Sequence, residues 1–183
     1  FNVLDFSPES SSLIKGESFE DTILTLLAMK VDGFIIRHPE DHISKKIISN
    51  QKRWNIRHDY FKNKLSKIDG IYVPSRPLKE SYVGSSFQFL VSENWSRNMI
   101  ERFIKKVKKR GVELKWFGDL EPKGYTSRHE SWKYFPSHKL KATSKVMHQL
   151  IDMRIPLTFS LKDCRIIYKI IQEEFLIECK KLR

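Results

Sequence analysis

The feature that most constrains this chain is a break in character at Pro39. Residues 1–39 carry three bases (Lys15, Lys30, Arg37) against six acids (Asp5, Glu9, Glu17, Glu20, Asp21, Asp32). The whole chain has 34 Lys/Arg and 22 Asp/Glu, which leaves 31 bases and 16 acids for residues 40–183. A segment of net charge −3 is therefore followed by one of +15, within a total of +12. Such asymmetry between neighbours marks a domain boundary. Thirty-nine residues are also too few to cover both faces of a sheet on their own.

The patterning changes at the same place. Phe1–Phe6 reads as a strand, Ser18 as the N-cap of a helix to about Met29, and Asp32–Ile36 as a short buried strand. Strand, helix and strand in that order form a βαβ fragment of a parallel sheet. The chain starts without methionine, inside a strand, so a fragment is expected. Beyond residue 40 a long polar helix is predicted from Ile43 to Leu65, stopped by Gly70, then strands over 71–73 and 81–91. Ser96 caps a basic helix that ends at Gly111, as a C′ glycine should. A strand over 112–117, a long loop from Gly118 to Leu140, a helix near 143–152 and a strand over 155–159 follow. Ser160 and Asp163 then form a capping box for the last helix. The expected fold class is α+β: a βαβ fragment (1–39), then a small domain (40–183) of about four helices on a mostly antiparallel sheet.

Several functional classes are excluded by composition. No stretch approaches the roughly 20 apolar residues needed to span a bilayer, and FNVLDFSPES lacks the pattern of a secretory signal. Cys164 and Cys179 lie fifteen residues apart on one predicted helix, roughly 22 Å at 1.5 Å per residue, beyond disulfide reach. Idle thiols of a cytoplasmic protein are the expectation. No metal-ligand spacing is present, so no metal is expected.

Residues 1–39 contain the string FSPESSSLIKGESFEDTILTLLAMKVDGFIIRHP. Its SSxxKGE loop, the DT that follows on a helix and a strand ending in RHP resemble the carbamoyl-phosphate domain of aspartate carbamoyltransferases, enzymes of pyrimidine biosynthesis. The resemblance implies that Ser11 and Lys15 belong to a mobile loop reaching a neighbouring subunit's active site, and that Arg37 contacts carbamoyl phosphate. The residue types suit a compact dianion: Arg presents a planar fork of donors and a loop lysine brings a movable charge. The family's main phosphate cradle, upstream, and its aspartate domain, downstream, are missing from the sequence.

Residues 43–177 carry RWNIRHDYF, YVGSSFQF, GVELKWFG, GYTSRHESW and DMRIPLTFS. These strings resemble the C-terminal small domain of DegT-type, pyridoxal-phosphate-dependent sugar aminotransferases. The resemblance implies an amino donor and a nucleotide sugar as substrates, a homo-oligomer in both parents, and a Schiff-base lysine in the large domain that would precede this segment. No catalytic residue is assigned here. One loop could contribute on the substrate side through Trp116, Arg128, His129 and Trp132, types that bind anionic or sugar-like ligands. In the plainer reading the two Trp anchor the loop to the sheet and Arg128 pairs with Glu130 or Glu121.

The chain thus reads as two transferase segments joined near residue 39, inactive as it stands. The alternative is a basic nucleic-acid-binding module without enzymatic activity, suggested by Arg102, Lys105, Lys106, Lys108, Lys109 and Arg110 on one helix. Against that alternative, Ile100, Phe103, Ile104 and Val107 make it an ordinary amphipathic helix whose charged side faces water. No helix-turn-helix or RNA-binding aromatic motif accompanies it.

Overall fold

The computed structural model describes residues 42–181 except 78, 122 and 124–139. The chain divides into two units, Phe1–Asn50 and Gln51–Arg183, and almost all described residues belong to the second. The strands and helix expected before residue 40 lie outside the described residues. The order of elements is α1 (Ile43–Leu65), β1 (Ile71–Tyr72), β2 (Ser86–Val91), α2 (Arg97–Lys109), β3 (Lys115–Trp116), α3 (Lys141–Gln149), β4 (Leu150–Arg154) and α4 (Leu161–Lys180). The fold is mixed α and β.

The four strands form one antiparallel sheet in the order β1-β2-β4-β3. Residues directly opposite across a ladder share a face. The pairs Phe87↔Met153, Phe89↔Ile151, Trp116↔Ile151 and Ile71↔Val91 therefore build one apolar face, and all of these side chains are buried. The helices complete the core behind it. Phe61 of α1 meets Phe87 at a ring separation of 5.8 Å, and Phe103 of α2 and Phe175 of α4 close on Trp95.

The helix ends follow local chemistry. Ser96 accepts from the Met99 amide at 3.4 Å, and Ser160 and Asp163 bond each other's amides as a complete capping box. Gly111 takes φ 88° just past α2, the left-handed conformation that a side chain would strain.

Two strand expectations need correction. The helix predicted near 143–152 stops at Gln149, and the central partner of β2 is Leu150–Arg154 rather than the segment 155–159. Ile151, Asp152, Met153 and Arg154 alternate apolar and polar, but the run is short and follows directly on a helical pattern, so the strand begins earlier than expected. Pro156 lacks the donor a central ladder needs. Residues 156–159 instead form a turn, in which the Phe159 amide donates to the Pro156 carbonyl at 3.1 Å, and α1 holds the segment: its Trp54 Nε1 donates to the Ile155 carbonyl at 2.9 Å and its Arg57 Nε to the Phe159 carbonyl at 2.6 Å. Likewise 81–85 does not extend β2. Its backbone is held by side chains of α1: Gln51 and Asn55 each donate to the Tyr82 carbonyl at 3.0 Å.

Cys164 is buried and Cys179 partly so, and neither is in a disulfide. Burial pushes the Cys164 thiol pKa up, which keeps it protonated and unreactive.

Candidate functional site

Opposite its apolar face the sheet presents a polar one. Ser86 pairs with Arg154, Gln88 with Asp152, and Asp152 in turn with Lys115, a row that crosses β2, β4 and β3. Asp152 is fully buried, and its carboxylate accepts a short hydrogen bond from the Ser86 hydroxyl. A buried carboxylate away from the apolar core is costly unless it is bonded. Neither Asp152 nor Ser86 stood out in the sequence. An acid between two apolar residues, Ile151 and Met153, was the one signal there.

The edge strand β3 leads into the long loop. Trp116 lies in the core with 3% exposure, and its Nε1 donates to the His148 carbonyl at 2.7 Å. The Arg97 guanidinium covers its ring at 4.7 Å and donates to the Gly118 carbonyl at 2.7 Å. The His148 ring stands edge-on to the indole, and its Nε2 is 3.1 Å from the Trp95 carbonyl oxygen. Trp116 therefore fixes the start of the loop, with its polar atom occupied. The period-two run Val112, Leu114, Trp116, all buried, was a legible signal for that placement. Arg128, His129 and Trp132 lie outside the described residues, as do Ser11, Lys15 and Arg37.

The basic helix α2 is not a free cationic face. Arg102 Nε and Lys106 Nζ bind the fully buried Glu178 of α4 at 3.2 and 3.1 Å, and Lys181 adds a third contact at 2.7 Å. Arg110 bridges Glu173 at 2.7 Å and Glu174 at 3.0 Å. Burial would raise the Glu178 pKa, but the hydrogen bonds from Lys181, Lys106 and Arg102 outweigh it and hold the carboxyl below its ordinary value. Three of the six bases thus knit α2 to α4 through paired acids, which weakens the footprint a phosphate backbone would need.

Other site types find little support. A cavity of about 270 Å³ lies between Val112, Met153, Phe159 and Ile167, with Lys115 and Arg154 at its rim. That is below the range of small-molecule pockets, which runs from about 300 Å³ upward. Among the described residues no group of three or more His, Cys, Asp or Glu could hold a metal ion. Nor is any helix among them long and apolar enough to cross a membrane.

No family model matches the chain. The aspartate carbamoyltransferase catalytic subunit of Streptococcus pyogenes is 46% identical over 48 residues, which is 26% of this chain and 15% of that subunit. The aminotransferase TlmJ from Streptoalloteichus hindustanus superposes with a TM-score of 0.58 at 12% identity, covering 74% of this chain and 35% of that one. NtdA from Bacillus subtilis, solved with bound cofactor PMP, superposes with a TM-score of 0.53 at 14% identity, covering 71% of this chain and 29% of that one. At such identities the structural likeness is one of fold. The chain is composite: a short stretch resembles aspartate carbamoyltransferase, and most of it resembles aminotransferases over about a third of their length.

Proposed function

We propose that this composite chain joins, near residue 39, a piece of a carbamoyl-phosphate domain to the small domain of a pyridoxal-phosphate aminotransferase, and that neither piece completes its reaction here. The observation that supports this is the extent of the match: 15% of a carbamoyltransferase subunit and about a third of an aminotransferase. In the first piece Ser11, Lys15 and Arg37 would meet carbamoyl phosphate, Arg37 with its fork of donors and Lys15 with a charge that arrives on loop closure. Stabilising the transition state takes both substrates held together, and the aspartate-binding half is not in the chain. Purified chain is expected to form no carbamoylaspartate from carbamoyl phosphate and aspartate. Formation that is abolished by Arg37→Ala would overturn this half of the reading.

In the second piece the polar face that carries Ser86, Gln88 and Lys115, with the segment that starts at Trp116, is the surface that would close over a substrate. Pyridoxal phosphate, where bound, supplies the electron sink for amino transfer. The described residues do not fit it. A fixed cofactor needs a lysine beside an acid for the ring nitrogen and a phosphate cradle at a helix start. Of the two buried acids, Asp152 is bonded by Ser86 and Glu178 holds three cations, Lys106 and Lys181 among them. The helix starts at Ser96 and Ser160 are satisfied by their own caps. Incubation with pyridoxal phosphate, desalting, borohydride reduction and peptide mapping should therefore give scattered, substoichiometric lysine labelling. One lysine labelled stoichiometrically, with a half-reaction on an amino donor, would place the cofactor site in this chain after all.

A further inference from the structure

His58 is a buried group that neither transferase reading uses. It sits in α1 with 5% exposure, wedged between the Tyr82 ring at 5.2 Å and the Phe87 ring at 5.1 Å. The backbone of Gly84 lies directly on it: a Cβ at position 84 would come within 2.5 Å of the His58 Cβ, so glycine is required there. One helical turn earlier Asn55 accepts from the Gly84 amide at 2.8 Å and donates to the Tyr82 carbonyl. One residue later Asp59 accepts from the Tyr82 hydroxyl at 2.6 Å. The imidazole is the floor on which this strap is folded down.

The Nδ1 atom of His58 is buried and has no hydrogen-bond partner. Asp59 Oδ1 lies 3.8 Å away, and that same oxygen is the one Tyr82 uses. The charged and titratable groups facing the ring are Asp59 and Lys62 from α1, and Arg76 and Tyr82 from the strap side; β2 contributes only the ring of Phe87. Arg76 lies over the Tyr82 ring at 4.5 Å. As a bare acceptor, Nδ1 tolerates this place at modest cost. As a donor it would need Asp59, in competition with Tyr82, and would put a cation beside Arg76 and Lys62.

We propose that His58 is a proton-operated latch for residues 82–85, which lie closed on α1 while the imidazole is neutral and loosen when it is protonated. Burial first and Arg76 second lower the ring's affinity for a proton, more than Asp59 raises it. The sign follows. A histidine whose pKa is lowered in the closed state leaves that state intact at neutral pH and weakens it as pH falls below the ordinary value of about 6.5. Tyr82, pushed up to about 12 by burial and by its bond to Asp59, stays protonated throughout and keeps its role as donor.

Amide hydrogen exchange on the full chain tests this, corrected for the intrinsic pH dependence and read on peptides spanning 82–86. Between about pH 7.5 and about pH 5 the protection of this strap should fall severalfold, while α4 peptides hold theirs. His58→Phe keeps the ring contacts without the titration and should leave protection independent of pH over that range. Should that variant fail to fold, a proton NMR titration of His58 in the unaltered chain serves instead: its midpoint must lie below 6.5 and coincide with the loss of protection. A strap equally protected at both pH values, an unchanged pH response in His58→Phe, or a His58 midpoint at or above 6.5 would overturn the latch.

Discussion

Removing Arg102 and Lys106 together, as the double alanine variant, should destabilise the Gln51–Arg183 unit, because it strips two of the partners from a buried charge. Glu178 has 0% exposure, and after the double substitution only Lys181 would remain to offset its lost hydration. The opposite change should cost less. The three cations are between about a third and a half exposed, so in Glu178→Gln they turn to water, and the loss should be about 1–2 kcal/mol from weakened hydrogen bonds. Combining both changes should recover most of the double variant's loss, which is the signature of a shared pair rather than of lost packing. The Glu178 carboxyl is held below its ordinary pKa, so its contribution is complete above that value and disappears as pH falls through the folded-state pKa. Urea denaturation should accordingly show Glu178→Gln losing less stability on acidification than the unaltered chain. A double variant no less stable than Glu178→Gln would mean that the buried carboxylate is not what α2 is holding.

Phe175→Ala should be comparably damaging, at about 3–5 kcal/mol. Phe175 is fully buried, lies on the Trp95 indole at 4.6 Å with an interplanar angle of 17°, and meets Phe103 edge-on at 5.9 Å. Trp95 and Phe103 touch each other at 5.7 Å, so three rings from α4, the turn before α2 and α2 itself close a triangle. Gly70 approaches from the remaining side, where a Cβ would stand 3.3 Å from the Phe175 ring. With neighbours on every side the gap left by alanine cannot collapse, so both the transfer and the cavity costs are felt. The check is a lowered urea midpoint at unchanged slope, together with altered tryptophan fluorescence as Trp95 loses its stacking partner. A loss under about 1 kcal/mol would show that α2 and α4 are joined chiefly by their ion pairs.

Both substitutions act where α2 meets α4, on the side of the core away from the polar face of β2, β4 and β3. Stability and the candidate working surface therefore occupy opposite sides of one sheet. A variant of Glu178 or Phe175 should change the unfolding midpoint without altering the latch at His58, which sits against α1 and Phe87.

What the sequence determined was what neighbouring residues decide among themselves. The limits of α1 at Ile43 and Leu65, the Ser96 cap, the Ser160–Asp163 box and the Gly111 stop were all readable, because each orphan amide or carbonyl there finds its partner within a few residues. The sequence resemblance to aspartate carbamoyltransferase was equally legible, since it is a property of the chain itself. The tertiary structure alone decided the rest. Leu150–Arg154 became an interior strand because β2 and β3 pair with it from both sides, which its short apolar–polar alternation beside a helix did not announce. Glu178 became the anchor of α2 because Lys106 and Arg102, 72 and 76 residues earlier, reach it. His58 was assigned by packing, as the floor under Gly84. Helix caps answer to local hydrogen bonding, whereas ladders, buried charges and wedged rings answer to segments that only folding brings together.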